Sequence, residues 1–491
     1  MKKCILFPLL LMFTAMATQS FAANWYVAKG ASGSNNGTNW TNAWNEWSQI
    51  NFSAVSCGDS IWVAGGTAYT SSLSIKKLCT SSTPLVIRRV LSTDSVPTSA
   101  AGWNPSFDSQ VVTNNGTVTM GGGAYYTIDG RVGDAASGVA YGMQWVYTSP
   151  TTAFGNTSSS IDDVTITYLE IYGPSCVTND GNGGYGSGTC TGNTWGFNLN
   201  QGTNTNILID HSWIHRWAEV VRPYQTTGLT IQYSYLGDSA WTPSDHNDCM
   251  YASDPFKNLT FRYNRVYSCS NEGLWFDNNG VVNAYIYDNI FYHSAGWVIG
   301  WPRCSSQSTC GPIYIFNNIF QSDGAWGEQT DGWIGTESSA LNASSLIQNN
   351  VFYNVSPNGS TASLVPFESY NAATPASGSN PPSCTGCFSY AVGSPLNSPT
   401  LWISPCGSTC TGPEGVINAD WHLTSAGTTL FQAKGANLSS QCSSIPALAA
   451  MCTADMDGNP RPASGAWTLG PYESASTQAL APPTNLNAVV Q

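Results

Sequence analysis

A unit of two apolar positions five residues apart, with four turn-forming residues between them, recurs through the middle of this chain. It reads Ile166/Ile171, Ile209/Ile214, Ile231/Leu236, Phe261/Val266, Ile286/Phe291, Ile315/Phe320 and Ile347/Phe352. Successive first members are separated by 43, 22, 30, 25, 29 and 32 residues. They are β-branched or aromatic, as strands prefer. A unit this short cannot bury its own apolar face, so neighbours must stack to make a core. Fixed strands at variable spacing are what loops of different length on one stacked scaffold produce. Three positions after each first member stand Leu169, Ser212, Ser234, Asn264, Asn289, Asn318 and Asn350. Asn tolerates the left-handed turn conformation, and four amides stacked one per coil can bond one another in a ladder. The pattern predicts an all-β fold, a single-stranded right-handed parallel β-helix. Ile209, Ile231, Phe261, Ile286 and Ile315 should form one buried stack.

The ends of the repeat are legible too. Asn24 to Val27 alternates as a strand, and Trp44, Trp47 and Ile50 follow helical spacing. A short amphipathic helix there would plug the first coil, whose open end otherwise invites edge pairing. Ile61, Ile87 and Ile128 sit in segments that continue the stack. The regular helix is expected over 23–355, with a Gly-rich insertion between Cys176 and Cys190. Residues 356–473, rich in Pro, Gly, Ser and Cys, are expected to be a loop-rich C-terminal continuation of it. Residues 474–491 read as a linker-like tail.

The first residues have the pattern of a removable address. Lys2 and Lys3 precede an apolar run from Cys4 to about Met16, and small residues follow at Ser20, Ala22 and Ala23. Residues 1–22 are read as a secretory signal cleaved after Ala22. No later stretch is apolar and long enough to span a bilayer. The mature chain is therefore expected to be exported, extracellular or periplasmic, and monomeric. Apart from Cys4 the cysteines fall in close neighbours: 57/79, 176/190, 249/269, 304/310, 384/387, 406/410 and 442/452. Local pairing in an exported chain predicts disulfides, and Cys384/Cys387 lacks the second Cys or His pair of a metal site.

Charge narrows the partners. Only 9% of residues are charged, the net charge is −13, and no basic stripe exists for nucleic acid or anionic membrane. The 19 Trp on a polar, weakly charged chain suit stacking on sugar rings, although many must fill the coils. The segments GDSIWVAGGTAY (58–69), YDNIFYHS (287–294), FNNIFQSD (316–323) and DWHLTS…DMDGNPRPASGAWTLGPYE (420–473) resemble secreted right-handed β-helix proteins of the pectin-lyase-like superfamily. That resemblance implies glycan binding along one parallel sheet, in a groove walled by loops. It does not choose among polysaccharide lyases, glycoside hydrolases, epimerases and non-catalytic surface proteins.

The strand after the Asn turn is the expected groove floor. Aligned coil by coil, Glu219 to Arg222, Asp248 to Tyr251 and Glu272 to Trp275 fall in register. Val221, Met250 and Leu274 then point inward, and Arg222, Tyr251 and Trp275 outward. Tyr224, Ser253, Asp277 and Trp301 extend the outward column. Strands lie about 4.8 Å apart, so Glu219, Asp248 and Glu272 form an acidic ridge in which one pKa must rise. Asp248, Glu272, Asp277 and His246 are the candidate catalytic residues. Arg222, Tyr251, Trp275, Trp301 and Arg303 are the candidate substrate-binding residues. The acids have a bland alternative: capping turns, or holding a structural Ca²⁺ through Glu219 and Asp248. No cofactor is otherwise required. The leading function is a polysaccharide-degrading enzyme. A hydrolase would use two of the acids, and a lyase a base such as His246, Lys257 or Arg222 with a neutralising cation. The alternative is a non-catalytic glycan-binding or cell-surface protein.

Overall fold

A computed structural model describes residues 22–473 except 132–140, 150, 157–158, 175–177, 180–184, 187–193, 241–245, 254–255, 278–280, 295, 302–310, 322–333, 337–341, 356–367, 376–383, 390–400 and 406–418. Three parallel sheets run its length: sheet A with 12 strands, sheet B with 11 and sheet C with 9. The chain visits A, B and C in turn. One circuit is Thr226–Gln232 in A, Tyr235–Gly237 in B and Met250–Ser253 in C, and the next begins at Phe256–Arg262 in A.

The apolar template maps onto the first two sheets. Ile166, Ile209, Ile231, Phe261, Ile286, Ile315 and Ile347 pair in register down sheet A. Ile61, Ile87 and Ile128 continue the same column toward the first coil. The second members pair down sheet B from Ile171 to Phe352. Every one is buried. Phe291, Phe320 and Phe352 stack with ring centroids 5.1 and 4.9 Å apart, the spacing of the coils themselves.

At the A-to-B turn the Asn ladder forms and runs one rung further than expected, to Asn371. Each Asn Nδ2 donates to the next Asn Oδ1 at 3.0–3.2 Å. The left-handed conformation, however, belongs to the residue before each rung: Tyr233 (φ 48°), Tyr263 (57°), Asp288 (53°), Asn317 (54°) and Asn349 (61°). That upstream residue makes the chain reversal, so the rung is left free to aim its amide along the stacking direction.

The ends differ from expectation in kind. The plug of the first coil is made of Trp44, Trp47 and Ile50, all buried in the main core, but only Trp47–Gln49 forms a helical turn, of the 3₁₀ type. Sheets A and B end with Glu368–Ser369 and Phe388–Ser389. The described residues from 401 onward do not extend the coils. They fold back, with Leu401, Trp402, Trp421, Phe431, Leu469 and Tyr472 packed on the outer side of sheet B. Leu438, Leu448, Met451 and Trp467 pack against Tyr263, Tyr287 and Phe316 at the C-terminal ends of sheet A strands. Arg461, fully buried, locks this flap by bonding Asp288 of the coils and Glu473 of its own segment. Early in the chain, Tyr26, Trp40, Trp62 and Val90 form a further cluster with Trp103 and Phe107.

Two titrating groups lie in this terminal region. Glu368 stands level with Ile347 in the apolar column, buried, with no hydrogen bond to either carboxyl oxygen among the described residues. Burial pushes its pKa up to about 7 from 4.5. His422 is held between Asp420 (Nδ1 to Oδ1, 2.5 Å) and Asp457. Partial burial pulls its pKa down, but bonds and charge from the two carboxylates outweigh that and push it up to about 10 from 6.5. Both folded-state values are raised. Stability from Glu368 is therefore complete below about 4.5 and lost as pH rises through about 7, and that from His422 is complete below about 6.5 and lost through about 10. Unfolding midpoints should fall in two steps as pH rises, one between about 4.5 and 7 and one between about 6.5 and 10. Glu368→Gln should abolish the lower step and His422→Gln the upper. A flat profile, or steps that survive both substitutions, would contradict these assignments.

Candidate functional site

With folded-back segments on the outer sides of A and B, sheet C keeps an outward face that the described C-terminal residues do not cover. Its strands Trp195–Leu199, Glu219–Pro223, Met250–Ser253, Leu274–Asp277 and Ile299–Trp301 lie in order. Phe197, Val221, Met250, Leu274 and Ile299 pair in register and point inward, as predicted for the three central coils. The groove floor is thus one strand later than expected: the strand directly after the Asn turn belongs to sheet B.

The three acids come together at the entry to these strands. Val220 N–H donates to Asp248 O and Cys249 N–H to Glu272 O, each at 3.1 Å, which fixes Glu219, Asp248 and Glu272 as neighbours. The ridge they form at the strand entry faces inward. Each precedes an inward residue by two positions and so shares its parity. Glu219 and Asp248 are both 0% exposed, whereas Glu272 is only half-buried. Glu219 Oε2 is ion-paired with Arg222, 3.1 Å from its Nε. Asp248 Oδ1 accepts the Glu272 backbone N–H at 3.0 Å, and its carboxyl also hydrogen-bonds the Glu272 carboxyl. Two acceptor-only groups in contact must share a proton or a cation. Burial first, then repulsion from Glu272 and more weakly from Glu219, pushes the Asp248 pKa well above the carboxylate range. The expected rise of one acid in the cluster is therefore present, and it falls on Asp248.

Extending that column by one coil in each direction finds two residues that sequence reasoning missed. Trp195 pairs with Glu219. On the other side the Leu274–Ile299 pairing sets Trp297 beside Glu272, and Gly273 N–H donates to Trp297 O at 3.1 Å. The Trp297 ring stacks on Trp275 with centroids 5.8 Å apart and planes 26° from parallel. Gly300 and Gly335 make room: a Cβ at Gly300 would lie 2.8 Å from both indoles, and one at Gly335 2.1 Å from Trp297. The signal was available, since Trp297 precedes Ile299 by the same two positions that separate Glu272 from Leu274.

The outward row holds the remaining candidates. The Arg222 guanidinium lies between the Trp195 and Tyr251 rings, 4.8 and 5.4 Å from their centroids. Tyr251 OH donates to Asp277 Oδ2 at 2.6 Å. Burial and the Asp277 charge raise the Tyr251 pKa, so the phenol keeps its proton. His246 is exposed, with its ring 4.3 Å from Tyr251. Trp301 does not continue the Asp277 column. The Trp275–Gly300 pair puts it one step on, level with Phe276. Lys257 belongs to sheet A, in Phe256–Arg262, and not to this face. Arg303 lies outside the described residues. Among the described residues no three His, Cys, Asp or Glu side chains are arranged to hold a metal ion.

The disulfide Cys249–Cys269 joins the end of a sheet B strand to the residue after Asp248. Cys57–Cys79, Cys384–Cys387 and Cys442–Cys452 also pair as predicted. The pairs 176/190, 304/310 and 406/410 fall outside the described residues. Replacing Cys249 and Cys269 by Ser should cost about 3 kcal/mol or less, the scale for a loop of this length. Denaturant midpoints check this. A larger loss would mean that the bridge also holds the Asp248 corner in place.

No family model and no curated protein matches this sequence. Solved structures do. The crystal structure of pectate lyase Pel9A superposes with a TM-score of 0.53 at 13% identity, over 93% of this chain and 97% of that one. The chain has the parallel β-helix fold of that structure. Weaker likenesses include XylC in complex with xylose (TM-score 0.40, 10% identity, 92% and 98% covered) and a rhamnogalacturonan lyase (0.37, 12%, 67% and 87%). At these identities the likeness speaks for the fold alone. No helix among the described residues is long and apolar enough to cross a membrane.

Proposed function

We propose that this β-helix is an exported polysaccharide-degrading enzyme that binds glycan along the outward face of sheet C. The observation that carries the reading is the Asp248–Glu272 carboxyl contact beside the stacked Trp275–Trp297 indoles. Indole faces supply apolar platforms for sugar rings. The carboxyl pair supplies a proton-transfer group poised above the ordinary carboxylate range. Glu272, half-buried, is the member that would meet substrate, and Asp248 behind it holds the shared proton. Asp277, fixed by the Tyr251 hydroxyl, is the separate carboxylate on the same strand.

The contact also constrains the chemistry. Two carboxyls flanking a glycosidic bond stand about 5–5.5 Å apart in retaining enzymes and about 6.5–9.5 Å apart in inverting ones. A hydrogen-bonded pair is closer than either, so Asp248 and Glu272 work as one group. Hydrolysis then needs Asp277 or water as the second participant, whereas β-elimination needs one base and a charge to neutralise a uronate. Calcium is the other candidate occupant of the carboxyl contact, and would supply that charge.

A panel of neutral and uronic polysaccharides, followed both by reducing ends and by ultraviolet absorbance of unsaturated ends, separates the two. Reducing ends without absorbance identify a hydrolase. Absorbance that chelator removes and calcium restores identifies a cation-assisted lyase. The complete burial of Asp248 favours one competing reading, glycan binding without cleavage. Trp275→Ala should weaken glycan retention under either reading. If it does so and no polysaccharide on the panel is cut, the binding-only reading stands.

A further inference from the structure

The first strand starts against a buried acid that has no positive partner among the described residues. Asp59 is 3% exposed and sits in the turn before Ser60–Val63. Its Oδ1 accepts from Ala23 N at 2.7 Å, and its Oδ2 from Trp25 Nε1 at 2.8 Å and Ser56 N at 2.7 Å. These three donors satisfy the carboxylate geometrically, but none is a cation, and no ion pair to Asp59 occurs among the described residues. Buried charge is costly unless paired. Ala23 is at the same time the first residue tied to the sheet, through Ser60 N–H donating to Ala23 O at 3.0 Å. It is also the residue that follows the small-residue signal Ser20-Phe21-Ala22.

We infer that Asp59 is the socket for the mature N-terminus: cleavage between Ala22 and Ala23 frees an α-ammonium that ion-pairs with the Asp59 carboxylate. The atoms needed are already in place. Hydrolysis of the Ala22–Ala23 peptide by a signal peptidase adds water across that bond. The Ala22 carboxyl departs with the leader, and the Ala23 nitrogen, 2.7 Å from Oδ1, goes from an amide with one proton to an amine that takes up protons to become –NH₃⁺. A neutral hydrogen bond becomes a charge-assisted one, roughly twice as strong. The edge strand of sheet A is thereby held more firmly in the processed chain. Removal of the leader completes the first coil as well as releasing the protein.

The experiment uses full-length protein exported and processed by a bacterial host. Its N-terminus is identified by mass spectrometry, and α-amine reactivity is then measured with limiting acylating reagent near neutral pH. Ala23 should be the first residue. Its amine should acylate about tenfold or more slowly than in a peptide of the same sequence, because each unit of raised pKa cuts the neutral, reactive amine tenfold. Asp59→Asn should restore the peptide rate. Should that variant fail to fold, a chain with Gly-Ser placed before Ala23 and Asp59 intact provides the second arm. Its displaced amine should react at the peptide rate, and its thermal midpoint should fall below that of the processed form. A mature chain beginning elsewhere, or an Ala23 amine as reactive in the native protein as in the peptide, overturns the inference.

Discussion

Glu272→Gln is expected to lower turnover about 10²-fold or more, the usual scale of a positioned acid–base group. Asp248→Asn should approach the same loss by a different route, and the pH dependence tells the two apart. Removing the Glu272 carboxyl removes the group proposed to meet substrate, so activity should be low at every pH. The substitution at 248 keeps a hydrogen-bonding partner for Glu272 but takes away the second ionisable carboxyl of the coupled pair. The pair titrates as a unit, so the acid limb of the pH–rate profile should move to lower pH. Trp275→Ala, by contrast, should act mainly on KM, since it removes a binding surface and no proton. Full activity in both carboxylate variants, with unchanged folding, would move the chemistry to Asp277 or off sheet C.

The column of apolar anchors was legible because its cause is local and repeated. Each of Ile209, Ile231, Phe261, Ile286 and Ile315 meets the same requirement in its own coil, so one template finds all of them. The Val221–Met250–Leu274 register follows from the same alternation. The outcome for the acids was harder to read. Period-two parity, applied to Glu219 and Asp248, already assigns them to the inward set with Val221 and Met250, but polar residues invite an outward reading. Their burial depends on the corner between sheets B and C. Asp248 is held there by the Glu272 backbone and carboxyl, partners 24 residues away. Trp297 was less legible because the column changes from acid to indole at its end.

The fold-back of residues 401–473 was not legible for a different reason. Its apolar residues show no period, since each matches a particular place on sheets A and B that exists only after the coils have stacked. Arg461 illustrates this. Nothing in its neighbourhood predicts a fully buried guanidinium, because its partner Asp288 lies 173 residues earlier. Asp288 itself stands in the left-handed position of its turn. Small polar residues are favoured there for conformational reasons, and the carboxylate gains its ionic role only from the flap that covers it.

Asn318→Ala should be strongly destabilising, as a truncation within the amide ladder of the A-to-B turn. The amide of Asn318 accepts from Asn289 N at 2.9 Å and from Asn289 Nδ2 at 3.0 Å, and donates to Asn350 Oδ1 and Ile286 O, each at 3.0 Å. Truncation strips the buried Asn289 N–H and the Ile286 carbonyl of these partners, and both lie too deep for water to replace them. A buried group left unsatisfied costs about 1–3 kcal/mol, so the loss should be about 2–6 kcal/mol. Ser234, earlier in the same column, accepts from Ser212 N at 3.1 Å and donates to Gln232 O at 2.8 Å, but reaches no neighbouring rung with a second donor. Ser234→Ala should therefore cost less. Asn318→Asp is the sharpest comparison: it keeps the shape and the acceptor yet cannot donate, and it sets a carboxyl against Asn350 Oδ1 and the Ile286 carbonyl. It should unfold at lower denaturant than Asn318→Ala, and its deficit should shrink in acid as the carboxyl takes up a proton and regains one donor. Equal midpoints for all three variants would mean that shape alone holds this corner of the helix, with the amide ladder contributing no net stability.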